Sequence, residues 1–224
     1  TNSKLNRIKE AMKAHGTTCH LITKLDDIAW ILNLRGSDID NNPYFLSYLF
    51  ISDEETLLYI DPLKLNDEII EYLHKNDVKV KLYEDLEDDI TELTKDQSVL
   101  LELPTLPYQF YKSMEGKCKI IGKTNPSTLF KAIKNTTEIE TLKECYRRDG
   151  IAMVKFLHWL DTHIWKTELT EVTVAEKLKT YREAIEEMRG TSFDTICGYR
   201  DHGAIMHYRA EPETAYKLEA KGLL

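Results

Sequence analysis

The chain has 224 residues, of which 30 are Lys or Arg and 38 are Asp or Glu, so its formal net charge is −8. Apolar residues make up 42% of the sequence and charged residues 30%, as in ordinary globular proteins. This composition excludes a disordered chain, a collagen and a multi-span membrane protein. Its acidic balance argues against a general nucleic-acid-binding protein, which needs clustered Lys and Arg.

Helix-like and strand-like segments alternate over residues 1–130. The spacing of Leu5, Ile8 and Met12 predicts a first helix, and residues 19–23 predict a short strand. Further strands are expected at residues 44–51, 57–60, 78–82, 99–103 and 119–121, with helices that begin near Asp26, Asn66, Glu84 and Pro104. This alternation predicts an α/β domain with a mixed sheet over residues 1–130.

A second domain is expected over residues 136–224, with two helices followed by a β-hairpin. A capping-box pattern at Thr137 and Glu140 predicts the start of a long helix. Its expected apolar face comprises Ile139, Leu142, Tyr146, Met153, Phe156, Leu160 and Ile164. A second helix is predicted from Thr170 to Gly190, and residues 195–208 predict two strands joined by a turn at Asp201-His202-Gly203.

Several clusters of polar residues resemble functional sites but favour a structural interpretation. On a helix, His158 and Asp161 share a face that His163 leaves, so a metal site there is disfavoured. The five carboxylates of residues 84–89 are typical of a solvated helix start. The pair Arg147-Arg148 is more typical of surface charge than of an anion clamp, and Cys197 of a small core residue than of a nucleophile.

His207 is the candidate site residue, because it lies among apolar residues on a predicted strand. Pattern alone favours a core histidine; the functional alternative is an imidazole that donates a hydrogen bond or carries a proton in a cleft. Strand alternation would place Ile205 and His207 on one face. His202 lies in the predicted turn and is not expected to join His207.

The four cysteines, Cys19, Cys118, Cys145 and Cys197, are widely spaced and form no C-x-x-C pair. This spacing favours reduced thiols in a cytoplasmic protein over a disulfide framework. No apolar run is long enough for a transmembrane helix, so no membrane partner is expected.

Three segments carry a family resemblance. Residues 25–38, LDDIAWILNLRGSD, are followed by Asn42-Pro43; residues 131–135, KAIKN, are followed by Glu138; and residues 203–208 read GAIMHY. In this order and spacing they resemble the cytosolic-type Xaa-Pro aminopeptidases. The resemblance implies a creatinase-like mixed-sheet α/β domain followed by the truncated start of a pita-bread α/β domain.

The resemblance also implies an activity, which is removal of the N-terminal residue from peptides whose second residue is proline. The family uses two divalent metal ions, usually manganese, and a homodimer is expected. The metal ligands of the family, two Asp, one His and two Glu, would lie beyond residue 224. Residues 1–224 are therefore expected to hold no metal and no catalytic residue, and to be an internal fragment that is inactive alone. His207 matches the position of a substrate-binding histidine.

Two alternatives remain open at this point. Some relatives with the pita-bread fold lack metal ligands and act as protein-binding or regulatory modules. A prolidase or a creatinase is a weaker alternative, since Asn33-Leu34-Arg35-Gly36 favours the aminopeptidase branch. Asp201-His202-Gly203 stands where the family commonly has an Asn-Gly turn, so the local loop is expected to differ.

Overall fold

The computed structural model describes residues 1–224, which form two compact units, Thr1–Lys134 and Asn135–Leu224. The first unit alternates strands and helices, as its sequence predicts. Its strands are β1 (Cys19–Ile22), β2 (Ser47–Ser52), β3 (Thr56–Ile60), β4 (Val78–Lys81), β5 (Ser98–Leu101) and β6 (Lys119–Gly122). Its helices are α1 (Asn2–Ala14), α2 (Leu25–Leu32), α3 (Asp67–Lys75), α4 (Asp85–Thr91), α5 (Tyr108–Met114) and α6 (Pro126–Ala132).

The strands form one six-stranded sheet in the order β4-β3-β2-β1-β5-β6. Antiparallel pairing joins β2 to both β1 and β3, whereas β1 with β5, β3 with β4, and β5 with β6 pair in parallel. The predicted mixed sheet is therefore confirmed. Because β1, β5 and β6 are mutually parallel, the residues that follow them meet at the same edge of the sheet.

Helices cover both faces of this sheet. One core contains Ile8 of α1, Ile28 of α2 and Leu73 of α3. The core on the other face contains Leu86 of α4 and Met114 of α5. Alternate side chains of a strand point to opposite faces, so each core draws on every second strand residue. The result is a three-layer α/β/α unit held mainly by burial of apolar side chains.

The second unit contains two helices, α7 (Thr136–His163) and α8 (Glu171–Glu183), packed around a small core that includes Phe156, Val174 and Cys197. The predicted capping box is two residues out of place. The Asn135 side chain accepts the Glu138 N–H at 2.9 Å, and the Glu138 carboxylate accepts the Asn135 N–H at 2.8 Å. Asn135 thus caps α7, because the side chain of each residue accepts the backbone N–H of the other.

The apolar face predicted for α7 is correct only in its second part. Phe156 is buried, and Met153, Leu160 and Ile164 pack against the same core. Ile139, Leu142 and Tyr146 are instead exposed. The prediction that α8 extends to Gly190 is also wrong, since the helix ends at Glu183. Although α7 is 28 residues long, neither it nor any other helix is apolar over a stretch that could cross a membrane.

The β-hairpin expected over residues 195–208 is absent from the structure. Residues Arg200–Ala204 form a 3₁₀ turn, and no named strand occurs after Lys134. Arg200 and His207 have left-handed φ values of 57° and 56°, which an extended strand does not allow. The Ile205 and Tyr208 N–H groups donate to the His202 and Ile205 carbonyls, three residues before them, and not to a strand partner. The strand assignment of His207 is therefore wrong.

In the first unit, the loop between α2 and β2 folds back so that Gly36 contacts the backbone of residues 43–45. The Gly36 N–H donates to the Pro43 carbonyl at 3.1 Å. A Cβ added at Gly36 would lie 2.6 Å from the Phe45 Cβ and 2.8 Å from the Tyr44 carbonyl oxygen. Real Cβ atoms do not approach so closely, so this position requires glycine.

Gly36→Ala is expected to lower the free energy of unfolding by about 1–3 kcal/mol, because the added methyl group must displace backbone atoms. Gly150→Ala is the matched control, since Gly150 lies inside α7 and an added Cβ meets no heavy atom within 4 Å. That change should stabilise the protein by about 0.5–1 kcal/mol. Urea unfolding followed by circular dichroism measures both. Equal effects of the two substitutions would contradict the steric argument.

Candidate functional site

The structure places the predicted site residue, His207, in an exposed turn of the second unit. Its imidazole forms no hydrogen bond or ion pair with other residues of the chain. The core-histidine interpretation of His207 is therefore wrong, and the ring is available to a ligand. Whether it binds substrate stays a prediction.

The residues around His207 converge on a buried carboxylate, that of Glu171 at the start of α8. Its side chain has no exposed surface. The Glu171 carboxylate accepts the N–H groups of Tyr199 at 2.6 Å and Tyr216 at 2.8 Å. It also accepts the Tyr208 hydroxyl at 2.7 Å and lies 3.0 Å from Nδ1 of His202. One carboxylate thus connects α8 to four positions of the segment that carries His207.

Aromatic stacking completes this cluster. The His202 ring lies on the Tyr216 ring, with centroids 3.7 Å apart and planes 8° apart. The Tyr208 ring lies 4.6 Å from the His202 ring on centroids. His202 therefore packs with Tyr208, the residue after His207, while the His207 ring itself contacts neither of them. That His202 does not join His207 stays a prediction.

The electrostatics of the cluster follow from burial and from the number of donors. Burial alone would raise the pKa of Glu171, but the hydrogen bonds from Tyr199, Tyr208, Tyr216 and His202 outweigh it and hold the pKa below its usual range. Burial, and then the Glu171 carboxylate, raise the pKa of Tyr208 to about 12. The cluster therefore contains an ionised carboxylate and a protonated phenol at neutral pH.

Sequence reasoning did not single out Glu171. A glutamate just after an N-cap threonine is ordinarily attributed to helix capping and the helix dipole. Thr170 does cap α8, because its hydroxyl accepts the Thr173 N–H at 3.2 Å. The signal that was available is weak, because only His202 and Tyr208 donate through their side chains and the other two donors are backbone N–H groups. No pattern in the sequence shows that they share an acceptor.

The other candidates keep their structural interpretation. Burial raises the pKa of the Cys197 thiol to about 11, so this thiol stays protonated and unreactive, as expected for a core residue. Arg147 and Arg148 both contact Glu144, and Arg148 also contacts Glu187, which confirms surface charge. Nδ1 of His163 donates to the Trp159 carbonyl of its own helix turn at 2.8 Å.

A second polar cluster lies in the first unit, at the sheet edge where β1, β5 and β6 end. The fully buried Asp27 carboxylate is 2.8 Å from Nζ of Lys131 and 3.1 Å from Nδ2 of Asn125. Lys131 also contacts Asp26. Asp26, Asp27 and Lys131 come from two of the segments that carry the family resemblance. The cluster ties α6 to α2 by a charge pair, which gives those segments a structural role.

The residues present do not fit a dinuclear metal centre. No group of three or more His, Cys, Asp or Glu side chains converges within residues 1–224. The best acceptor, Glu171, is already occupied by four donors and has no free lone pair to offer. A metal centre in a protein of this kind would need ligands from outside these residues.

The three-layer unit and the helical unit with its exposed histidine correspond to two separate family matches. Residues 1–138 match the Creatinase/Prolidase N-terminal domain, and residues 140–224 match Metallopeptidase family M24. The chain belongs to the creatinase/prolidase family, with an M24 metallopeptidase part. The expected fold class, a creatinase-like domain followed by the start of a pita-bread domain, is confirmed.

Individual relatives agree with this assignment. The chain is 35% identical over 227 residues to Xaa-Pro aminopeptidase 1 of Dictyostelium discoideum, covering 100% of this chain and 36% of the relative. It is 32% identical to Xaa-Pro aminopeptidase ApepP of Drosophila melanogaster, covering 96% of this chain and 35% of the relative. The chain thus spans about a third of the length of these relatives.

A solved structure is similar over nearly the whole chain. The X-prolyl aminopeptidase of Caenorhabditis elegans, described as a cytosolic enzyme with a di-nuclear active site, matches with a TM-score of 0.91 and 29% identity. The match covers 98% of this chain and 37% of that structure.

Proposed function

We propose that these residues serve in a Xaa-Pro aminopeptidase, which removes the N-terminal residue from peptides with proline in second position. The observation that supports this most strongly is the match to the nematode X-prolyl aminopeptidase, at a TM-score of 0.91 over 98% of the chain. The match includes both the creatinase-like part and the M24 part. A module that shared only the α/β unit would match in residues 1–138 alone.

In this proposal His207 is the substrate-binding residue. Its imidazole is exposed and has no partner within the chain, so a substrate can reach it without breaking an existing contact. A ring N–H can donate to the carbonyl oxygen of the scissile peptide bond. The hydrogen bond gains strength as negative charge develops on that oxygen, which lowers the barrier to reaction.

Two divalent metal ions, with manganese as the expected metal, belong to the proposed enzyme. Residues 1–224 offer no ligand set for them, so other residues of the protein would have to hold the ions. The expected partners are proline-containing peptides and a second copy of the protein, in the cytoplasm. The net charge of −8 makes nucleic acid an unfavourable partner.

His207→Phe in the Mn²⁺-loaded protein is expected to lower kcat/KM for a peptide that begins Xaa-Pro by about 10²–10³-fold. Phenylalanine keeps a flat ring but removes the donor. His158→Phe is the matched control, because His158 is an exposed histidine of the same unit on α7. Unchanged kinetics for His207→Phe would remove His207 from the substrate site.

The function itself is tested with the wild-type protein. Hydrolysis of Xaa-Pro peptides that requires Mn²⁺, and is lost on dialysis against a chelator, is the expected result. Residues 1–224 prepared alone are expected to retain no stoichiometric Mn²⁺ and to hydrolyse nothing. A protein without Mn²⁺ binding or peptide hydrolysis under any condition would support the alternative, a non-catalytic binding module.

A further inference from the structure

The segment that carries His207 is held by a side chain and not by a sheet. Residues 199–216 contain no strand, yet four donors within them, on Tyr199, His202, Tyr208 and Tyr216, point to Glu171. His207 lies between the second and the third of these donors. The position of its backbone is therefore bounded on both sides by hydrogen bonds to one carboxylate.

The Glu171 carboxylate determines which ring nitrogen of His202 carries a proton. An ionised carboxylate only accepts hydrogen bonds, so the His202 nitrogen 3.0 Å away must donate. This nitrogen is Nδ1. In the neutral ring the proton is then on Nδ1, and Nε2 carries a lone pair. The His202 side chain is 12% exposed and its Nε2 is not among the buried atoms that lack a partner, so this lone pair reaches solvent.

We propose that Glu171 is a positioning residue of the substrate-binding segment. It fixes the 199–216 segment around His207 through four hydrogen bonds, and it holds His202 as the Nδ1–H tautomer with Nε2 open to solvent. The role of His207 itself rests on the function proposed above. The tautomer of His202 does not depend on that function, so the two can be tested separately.

The substitution Glu171→Gln separates the effect of the hydrogen bonds to Glu171 from the effect of its side-chain volume. The glutamine side chain has nearly the same shape, but one oxygen becomes an NH₂ group that cannot accept. All four partners are donors, so Glu171→Gln cannot satisfy them together. His202 can adapt by moving its proton to Nε2, because its Nδ1 then accepts from the glutamine amide. The substitution should therefore reverse the His202 tautomer and release part of the His207 segment.

The direct experiment is ¹⁵N NMR of the histidine rings in the 224-residue chain at about pH 9, where histidine rings are ordinarily neutral. Wild-type His202 is expected to show a protonated Nδ1 and an unprotonated Nε2, and Glu171→Gln to show the reverse together with shifted His207 signals. Glu176→Gln is the matched control, since Glu176 is exposed on the same helix and forms no ion pair. It should change neither ring.

Two outcomes overturn the proposal. One is a wild-type His202 with its proton on Nε2, a result that does not depend on whether any variant folds. The other is a folded Glu171→Gln protein in which the His202 and His207 signals match those of the wild type. If Glu171→Gln fails to fold, Tyr208→Phe replaces it: phenylalanine keeps the ring but lacks the hydroxyl that donates to Glu171, so the His207 signals should shift. Unchanged His207 signals in that folded variant then take the place of the second outcome.

Kinetics connect the positioning role to the proposed enzyme. In the Mn²⁺-loaded protein, Glu171→Gln is expected to lower kcat about tenfold with little change in KM, because a displaced His207 loses mainly its contact in the transition state. An unchanged kcat in a variant whose His202 tautomer has reversed would limit Glu171 to a structural role. If the wild-type protein hydrolyses no Xaa-Pro peptide, the proposed function fails while the NMR result still decides the hydrogen-bonding role of Glu171.

Discussion

Replacing Lys131 with methionine is expected to lower the free energy of unfolding of the first unit by about 3–5 kcal/mol. The Lys131 ammonium lies 2.8 Å from a carboxylate oxygen of Asp27, a residue with no exposed surface. Without this ammonium, the nearest cation to Asp27 is Lys24 at 3.9 Å, which Glu102 also attracts at 3.8 Å. The neutral Asn125 amide cannot offset the cost of a buried charge that has lost its main partner.

Native-state hydrogen exchange of the amides in β1 and β5 reports this loss within the first unit alone. Lys112→Met is the matched control, because Lys112 forms an exposed pair with Glu115 at 2.5 Å, and exposed pairs contribute little to stability. The double variant Asp27→Leu, Lys131→Met should recover much of the stability, since no fully buried charge is left unpaired. If Lys131→Met is as mild as Lys112→Met, the Asp27 cluster does not hold α6 to α2.

The first unit could be predicted well because its signals are local. Strands such as Val78–Lys81 alternate apolar and polar residues, and helices such as α1 repeat apolar residues at three and four positions. Period and turn chemistry suffice for such elements. The contact of Asp27 with Lys131 could not be predicted in this way, because nothing local in the sequence marks two residues 104 positions apart as partners. A family resemblance identified both segments without giving their physical role.

The second unit shows where local reasoning fails. Alternation around Ile205 and His207 predicted a strand, but a strand needs backbone partners, and here the Ile205 and Tyr208 N–H groups donate to the carbonyls three residues before them, as in turns. The error at the start of α7 has a similar cause. Two overlapping patterns, Asn135 with Glu138 and Thr137 with Glu140, both fit a capping box, and the structure uses the earlier one. A pattern shows that a cap or a strand is possible, while competing acceptors decide whether it forms.

The stability of the first unit is expected to fall by about 3 kcal/mol between pH 7 and pH 4 because of one histidine. The His20 ring on β1 is fully buried, its Nδ1–H donates to the Leu100 carbonyl at 2.9 Å, and its Nε2 has no partner. Burial lowers the pKa of His20 from 6.5 to about 4, against smaller raising effects of the Leu100 carbonyl and Asp27. The unfolded chain therefore binds a proton near pH 6.5, while the folded unit does so only near pH 4. The stabilisation is complete above pH 6.5 and is lost as the pH falls to about 4.

His20→Asn isolates this effect from the acid sensitivity of the carboxylates. Asparagine can still donate to the Leu100 carbonyl but does not titrate, so the variant should lose stability at pH 7 and show a flatter dependence of unfolding free energy on pH. His74→Asn is the control, since His74 is exposed at the end of α3 and should leave the curve unchanged. Urea unfolding at several pH values between 4 and 7 gives the three curves. Parallel curves for wild type and His20→Asn would show that His20 does not cause the loss of stability in acid. The loss would then come from carboxylates such as Asp26. Burial alone would raise the pKa of Asp26, but Lys131 beside it holds that pKa below its usual range.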